Sequence, residues 1–407
     1  MKIDAEAAGL DTRRLERIDD HIRSRYIEPE KIAGCQVTVV RHGAVGYFQS
    51  FGSMDLERGR AVTDDTIWRI YSMTKPIIGV ALMTLYERGH FQLGDPVSRW
   101  IPEWKDLKVK ERRPDGSTVL VEPRRPMTVR DTLMHMTGLG WGTDERPTMD
   151  KFMEAMIALR GGPGGTLEQM VTNLAGLPLE FHPGEAWLYG VSTDIVGHLV
   201  QLMSEQPLDE YLRQHVFEPL QMRDTGFWVP DGEIDRFAAN YGRRRDKTLA
   251  LVDDPERSAY RRAPSFLSGG GGLVSTSEDY TRFCQMLLNG GELDGVRVLG
   301  RKTVDLVRTN HLPGNGELRQ FAVPGGYGEV GFDGVGFGLT VAVGLGEAAT
   351  QTIGSAGDYY WGGAASTIFW IDPNEDLAVV FMTQLMPSGT FNFRGQLRAL
   401  VYPAIAD

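Results

Sequence analysis

Ser72-Met73-Thr74-Lys75 constrains this chain more than any other stretch. It opens an apolar run, Ile77, Ile78, Val80, Ala81, Leu82 and Leu85, whose three- and four-residue spacing predicts a helix ending near Gly89. Ser72 then stands at the N-terminal end of that helix, where backbone N–H groups lack partners and the dipole is positive. Lys75, three residues on, shares its face. A serine hydroxyl is a weak nucleophile until a base takes its proton. A lysine serves as that base when burial or a nearby cation lowers its pKa. Four residues therefore supply a nucleophile, a base and an anion-friendly helix end. The pattern also arises by chance, and a capping serine beside a solvated lysine is the plain alternative. Ser72 to Lys75 is the only such match in the sequence.

The 407 residues suffice for two domains, or for one large domain with a sizeable core. A net charge of −11 argues against a nucleic-acid backbone or an anionic membrane as partner. Cys35 and Cys284 are the only cysteines, too few for a disulfide scaffold. Met1-Lys2-Ile3-Asp4-Ala5-Glu6 lacks the basic start and apolar core of a signal peptide, and no run approaches 18 apolar residues. The expectation is a soluble cytoplasmic protein.

Strand patterns lie at both ends of the chain. Asp11 to Ile27 has helical spacing at Leu15, Ile18 and Ile22, and a β-hairpin follows: Gln36–Val40, the turn Arg41-His42-Gly43, then Val45–Phe48. Near the other end, strands are expected over Gly336–Val343, Ser366–Ile371 and Leu377–Met382, the last two joined by Asp372-Pro373-Asn374-Glu375-Asp376. A final helix spans Phe393–Val401. Between the ends the pattern is mostly helical, with segments at Met149–Leu159, Asp194–Met203 and Leu208–Val216, a flexible loop at Gly161–Gly165 and a later helix at Tyr280–Leu288. The economical arrangement is α+β, an α/β sandwich. One antiparallel sheet is built from residues 1–95 and 236–407 and flanked by helices, and a mostly helical lobe is inserted over 96–235.

Other clusters carry candidate chemistry. Phe181-His182-Pro183-Gly184-Glu185 turns the chain into Tyr189, just ahead of a helix capped by Ser192 or Thr193. A tyrosine beside a lysine can act as a base or proton relay, although a core aromatic is the plainer reading. Trp361-Gly362-Gly363-Ala364 runs into a strand, where paired glycines let a ligand approach the backbone and a main-chain N–H can serve an oxyanion hole. The glycine run Gly269–Gly272 lacks the lysine of a P-loop and reads as a turn beneath the site, and His135-Met136-Thr137-Gly138 is another turn-rich cluster. The eight histidines show no ligand spacing, so no metal site is expected, and no Gly-x-Ser-x-Gly elbow occurs.

Ser72-x-x-Lys75, Tyr189 about a hundred residues later and a glycine pair before a late strand follow the order of the serine β-lactamase and penicillin-binding protein superfamily, which the chain resembles over nearly its whole length. Phe181–Glu185, Pro219–Phe227 and Gly269–Thr276 extend the match. The closest likeness is to family VIII carboxylesterases, the esterase branch with a class C β-lactamase fold. The resemblance implies an acylated Ser72, with Lys75 and Tyr189 as its base system and the N–H groups of Ser72 and Ala364 holding the oxyanion. Which of Lys75 and Tyr189 is the primary base stays open. No cofactor is implied.

Two departures bear on specificity. Val191 stands where β-lactamases have the asparagine of Tyr-x-Asn, and Trp361 replaces the lysine of Lys-Thr-Gly. A cationic subsite becomes apolar, which suits neutral esters better than β-lactam carboxylates. Trp361, Gly362 and Gly363, with Tyr360, Trp141, Trp187, Trp228 and Val191, are the candidate pocket residues. The expected activity is hydrolysis of short neutral carboxylic esters, with a small-molecule ester as partner, no nucleic acid and no membrane, and the oligomeric state left open. The alternatives on the same residues are a β-lactamase, a D-amino-acid peptidase and an acyltransferase. From another class, the alternative is a catalytically silent binding or assembly protein.

Overall fold

The computed structural model describes residues 1–140 and 165–406; Trp141, the expected helix at Met149–Leu159 and the loop from Gly161 to Gly164 lie outside them. An antiparallel sheet of eight strands joins the two ends of the chain. The strands are β1 (Gly34–Arg41), β2 (Ala44–Asp55), β3 (Arg60–Ala61), β4 (Val335–Phe337), β5 (Ala342–Gly344), β6 (Tyr359–Gly362), β7 (Ile368–Asp372) and β8 (Leu377–Thr383). Their spatial order is β4-β5-β6-β7-β8-β1-β2-β3. β1 and β8 meet in the centre, in a register from Cys35 opposite Thr383 to Arg41 opposite Leu377. Both are buried along their whole length. That burial explains the near-continuous apolar sequence of β8, because helices cover both faces of the sheet.

The helix α1 (Thr12–Ile22) and the C-terminal helix α5 (Phe393–Val401) pack together on one face. Phe393 meets Phe381 of β8 with ring centroids 4.8 Å apart. On the other face lies α4 (Ser277–Leu288), which places Tyr280 against Phe369. Beyond it runs α2 (Thr74–Glu87), with every residue from Thr74 to Leu85 buried. A helix that is apolar all round belongs in the interior. α2 is sandwiched there against α3 (Ser192–Ser204). No helix among the described residues is long and apolar enough to cross a membrane.

Some expected elements change. The run Gly336–Val343 is not one strand. It folds back at Gly338-Leu339-Thr340, pairing Val335 with Gly344 and Phe337 with Ala342. Thr340 sits at φ 72°, and the Gly338 N–H donates to the Val341 carbonyl at 2.8 Å, closing the turn. Residues 96–235 hold a hairpin, Val109–Arg112 with Thr118–Val121, beside their helical segments. Asn240–Arg243 and Leu249–Asp253 form a further small sheet with Leu385–Met386, the last pairing in parallel with Asn240–Arg243.

Candidate active site

A 3-10 turn, Tyr71–Met73, leads into α2 and presents Ser72. Tyr71 takes a left-handed φ of 43°, rare for a bulky residue and typical of backbone held in place by its surroundings. Asn240 helps to hold it, its Nδ2 donating to the Tyr71 hydroxyl at 2.9 Å. Lys75, one turn further on, is 1% exposed. Its Nζ donates to Ser72 Oγ at 3.2 Å and to the Gly270 carbonyl at 2.5 Å, and lies 4.6 Å from the centre of the Tyr189 ring.

The Gly270 carbonyl is held from behind. Asp194, on the first turn of α3 and fully buried, accepts the Gly270 N–H at 2.9 Å and the Ser268 hydroxyl at 2.7 Å, both on Oδ1. A Cβ on Gly270 would stand 2.6 Å from Asp194 Oδ2, so only glycine permits this approach. The glycine run is thus a turn beneath the site, and its carbonyl is also a partner of Lys75. Sequence reading missed that role, and it missed Asp194. The available signal was an acidic residue in an apolar helix five positions after Tyr189.

Tyr189 is buried, and its hydroxyl has no hydrogen-bond partner among the described residues. Burial holds its pKa well above the ordinary value, and the charge of Glu329 adds to the rise. Ser72 and the Trp361 indole lie close enough to pull weakly the other way. His135, at φ 57°, lies 4.9 Å from Tyr189 between rings and is kept neutral, its pKa pushed well down first by burial and then by Lys75.

Gly363 and Ala364 follow β6. A Cβ on Gly363 would be 2.4 Å from the Ile70 carbonyl, two residues before Ser72, so this turn lies against the Ser72 turn. The Ala364 N–H meets no acceptor among the described residues, and Ala364 is partly exposed between buried neighbours.

The proposed pocket residues divide. Trp361 and Trp187 are buried, with ring centroids 5.4 Å and 6.0 Å from that of Tyr189, so they back the tyrosine and leave no open wall. Val191 is equally enclosed. Gly362 sits on β6, its Cβ position 3.3 Å from Arg394 Nη2. Tyr360 is turned away from this site: alternation along β6 sends it to the opposite face from Trp361, where Arg394 and Arg398 lie 4.8 Å and 5.1 Å from its ring. Trp228 lines a separate surface groove with Asp224 and Val229. Trp141 is outside the described residues.

A buried Ser-x-x-Lys pair at a helix start, with a tyrosine against the lysine and a glycine turn across from the serine, invites comparison with known proteins. The family model for β-lactamase matches residues 20–402. The chain belongs to the β-lactamase family. It is an enzyme of the serine hydrolase kind on the β-lactamase/transpeptidase-like fold. Esterase EstB of Burkholderia gladioli is 30% identical over 405 residues, covering 95% of each chain. An uncharacterized protein of Mycobacterium tuberculosis (strain CDC 1551 / Oshkosh) is 33% identical over 339 residues, 83% of this chain and 82% of that one. Among solved structures, EstCE1, described as a hydrolase with promiscuous acyltransferase activity, superposes with a TM-score of 0.78 at 25% identity, covering 99% of this chain and 100% of its own. Simvastatin synthase (LovD) from Aspergillus terreus shares the fold at a TM-score of 0.76 and 23% identity, covering 96% of this chain and 97% of its own.

Proposed function

We propose that this enzyme is a serine carboxylesterase that hydrolyses short neutral esters through an acyl-enzyme on Ser72. The observation that carries the reading is Lys75 Nζ at 3.2 Å from Ser72 Oγ inside a closed shell, with Tyr189 against the lysine. Lys75 takes the serine proton as Oγ bonds to the acyl carbon. The Ser72 and Ala364 N–H groups receive the developing oxyanion. The ester C–O bond then breaks, and the departing alcohol oxygen is protonated from Lys75 through Tyr189. Water repeats the sequence on the acyl-enzyme, releases the acid and restores Ser72. The raised pKa of Tyr189 suits a proton donor and relay better than a resting phenolate base, which favours Lys75 as the primary base.

Ester preference follows from Trp361. Its ring fills the space behind Tyr189 and brings an apolar side chain where a lysine would offer an ammonium to a β-lactam carboxylate, and Val191 removes an amide. The likeness to Esterase EstB points the same way. A cytoplasmic setting goes with the reading, since Cys35 and Cys284 are both free, buried thiols. Transfer of the acyl group to an alcohol in place of water is the second reading. It needs no further residue, and the description of EstCE1 favours it.

The test is a panel of p-nitrophenyl esters and nitrocefin, run on the wild type and Ser72→Ala. Ester turnover lost in the variant supports the reading. An active Ser72→Ala, or benzylpenicillin hydrolysed as efficiently as the best ester, refutes it.

A further inference from the structure

A cavity of about 330 Å3 borders Gly363 and Thr367, at the turn that carries Ala364. Tyr327, Glu329, Ser388 and Arg394 complete the part of its wall that matters here. Its size is at the low end of cavities that hold small ligands, roughly 300–1,000 Å3. Two contacts tie it to the reacting groups. Gly363 immediately precedes Ala364. Tyr327 has its ring 5.9 Å from that of Tyr189, the residue that faces the departing oxygen in the scheme above. Tyr327 is also 47% exposed, whereas Trp361 and Trp187 are enclosed. Among the described residues, the accessible aromatic surface beside Tyr189 is therefore Tyr327, a residue that the sequence pattern did not single out.

The wall is polar and of mixed sign. The Tyr327 and Ser388 hydroxyls hydrogen-bond each other. Arg394 donates from Nη2 to the Trp361 carbonyl at 2.9 Å, rests over Tyr360, and leaves Nε without a partner among the described residues. Glu329 and Arg394 line the same cavity, each charge within electrostatic reach of the other. Burial raises the Glu329 carboxyl and lowers the Arg394 guanidinium to about 10, so both charges are short of solvent. A ligand with net charge of either sign gains from one of them and loses to the other. A neutral group with several hydroxyls satisfies both, because each O–H can donate to the carboxyl while its oxygen accepts from the guanidinium. Carbon-bound hydrogens of the same group can lie on the Tyr327 ring.

We infer that this cavity binds the alcohol half of the substrate, and that this alcohol is a neutral polyol, such as glycerol or a monosaccharide carrying a short acyl group. The inference rests on the esterase reading and names its leaving group. When Ser72 Oγ bonds to the acyl carbon, the bond from that carbon to the polyol oxygen breaks. That oxygen takes the proton held by Lys75 and Tyr189, and the free polyol departs through the cavity.

The test compares 1-O-acetylglycerol with propyl acetate, which has the same carbon skeleton without the two hydroxyls. The full-length wild type is expected to favour the glycerol ester by about tenfold or more in kcat/KM, chiefly through KM. Glu329→Ala and Ser388→Ala should each shrink that preference by about threefold or more, the two acetates being compared within the same variant so that any change in basal turnover cancels. Free glycerol should inhibit p-nitrophenyl acetate hydrolysis competitively. An active wild type that prefers propyl acetate, or a preference untouched in both variants, overturns the polyol subsite and leaves the esterase reading standing. A wild type that cleaves no p-nitrophenyl ester overturns the esterase reading, and the polyol inference with it.

Discussion

Asp194 gives the sharpest test of how the base is held. Its Oδ1 accepts two buried donors, the Gly270 N–H and the Ser268 hydroxyl, while Oδ2 has no partner among the described residues. Asp194→Ala orphans both donors, and each buried donor left unmade costs about 1–3 kcal/mol, so about 2–6 kcal/mol of stability should be lost. The same change frees the Gly270 carbonyl, on which Lys75 Nζ rests at 2.5 Å. Misplacement of a base by about 1 Å lowers turnover by up to about a hundredfold. Asp194→Asn keeps one oxygen for both donors and should retain most of the stability and turnover. Urea unfolding followed by tryptophan fluorescence reads the first effect, and kcat on p-nitrophenyl butyrate reads the second. An alanine variant as stable and as active as the wild type would refute the anchoring argument. An asparagine variant as damaged as the alanine one would refute the hydrogen-bond explanation of it.

A phosphonate ester should form one adduct, on the peptide containing Ser72; an adduct elsewhere removes Ser72 as nucleophile. Lys75→Ala and Tyr189→Phe should each lower kcat by about a hundredfold or more, and the double variant should lose far less than their product, because the two groups share one proton path. Full additivity, measured on the same ester, would assign them separate jobs. Trp361→Lys places an ammonium in a fully enclosed site between Tyr189 and Phe337, so melting temperature and ester turnover should both fall before any gain on β-lactams appears. A stable variant with raised penicillin turnover contradicts the burial argument. Overnight EDTA should leave ester hydrolysis unchanged, since the serine, lysine and tyrosine need no metal; loss restored by zinc would contradict the scheme.

Much of this architecture is written in local periodicity. The Ser72 helix, the hairpin through His42 and Gly43, and the strand pair joined by Asp372–Asp376 are set by neighbours within a few residues, and those patterns read directly. Gly336–Val343 misled because strand-prone residues do not reveal where the chain reverses; the Gly338-to-Val341 hydrogen bond does. Tyr360 and Trp361 are adjacent letters, but the pleat sends them to opposite faces, and only the register of β6 against its neighbours says which one meets Tyr189. The grip of Asp194 on Gly270 spans 76 positions and leaves no short-range trace. Leu385–Met386 pairs with Asn240–Arg243 for the same kind of reason, a contact made only after the core has closed.

The pairing of β1 with β8 also sets a timetable for biosynthesis. Val37 and Val39 leave the ribosome early, but their partners Phe381 and Val379 come about 340 residues later. At roughly 5–20 residues per second, that is a wait of about 17–70 s during which one edge of an apolar strand stays unpaired. The turn that shapes Ser72 is exposed to the same delay, because Gly363 and Ala364 arrive with the last strands. Aggregation during synthesis competes with folding throughout that interval, so slower growth at lower temperature, or a chaperone that shields the β1–β2 hairpin, should raise the yield of active enzyme more than it raises the stability of the finished fold.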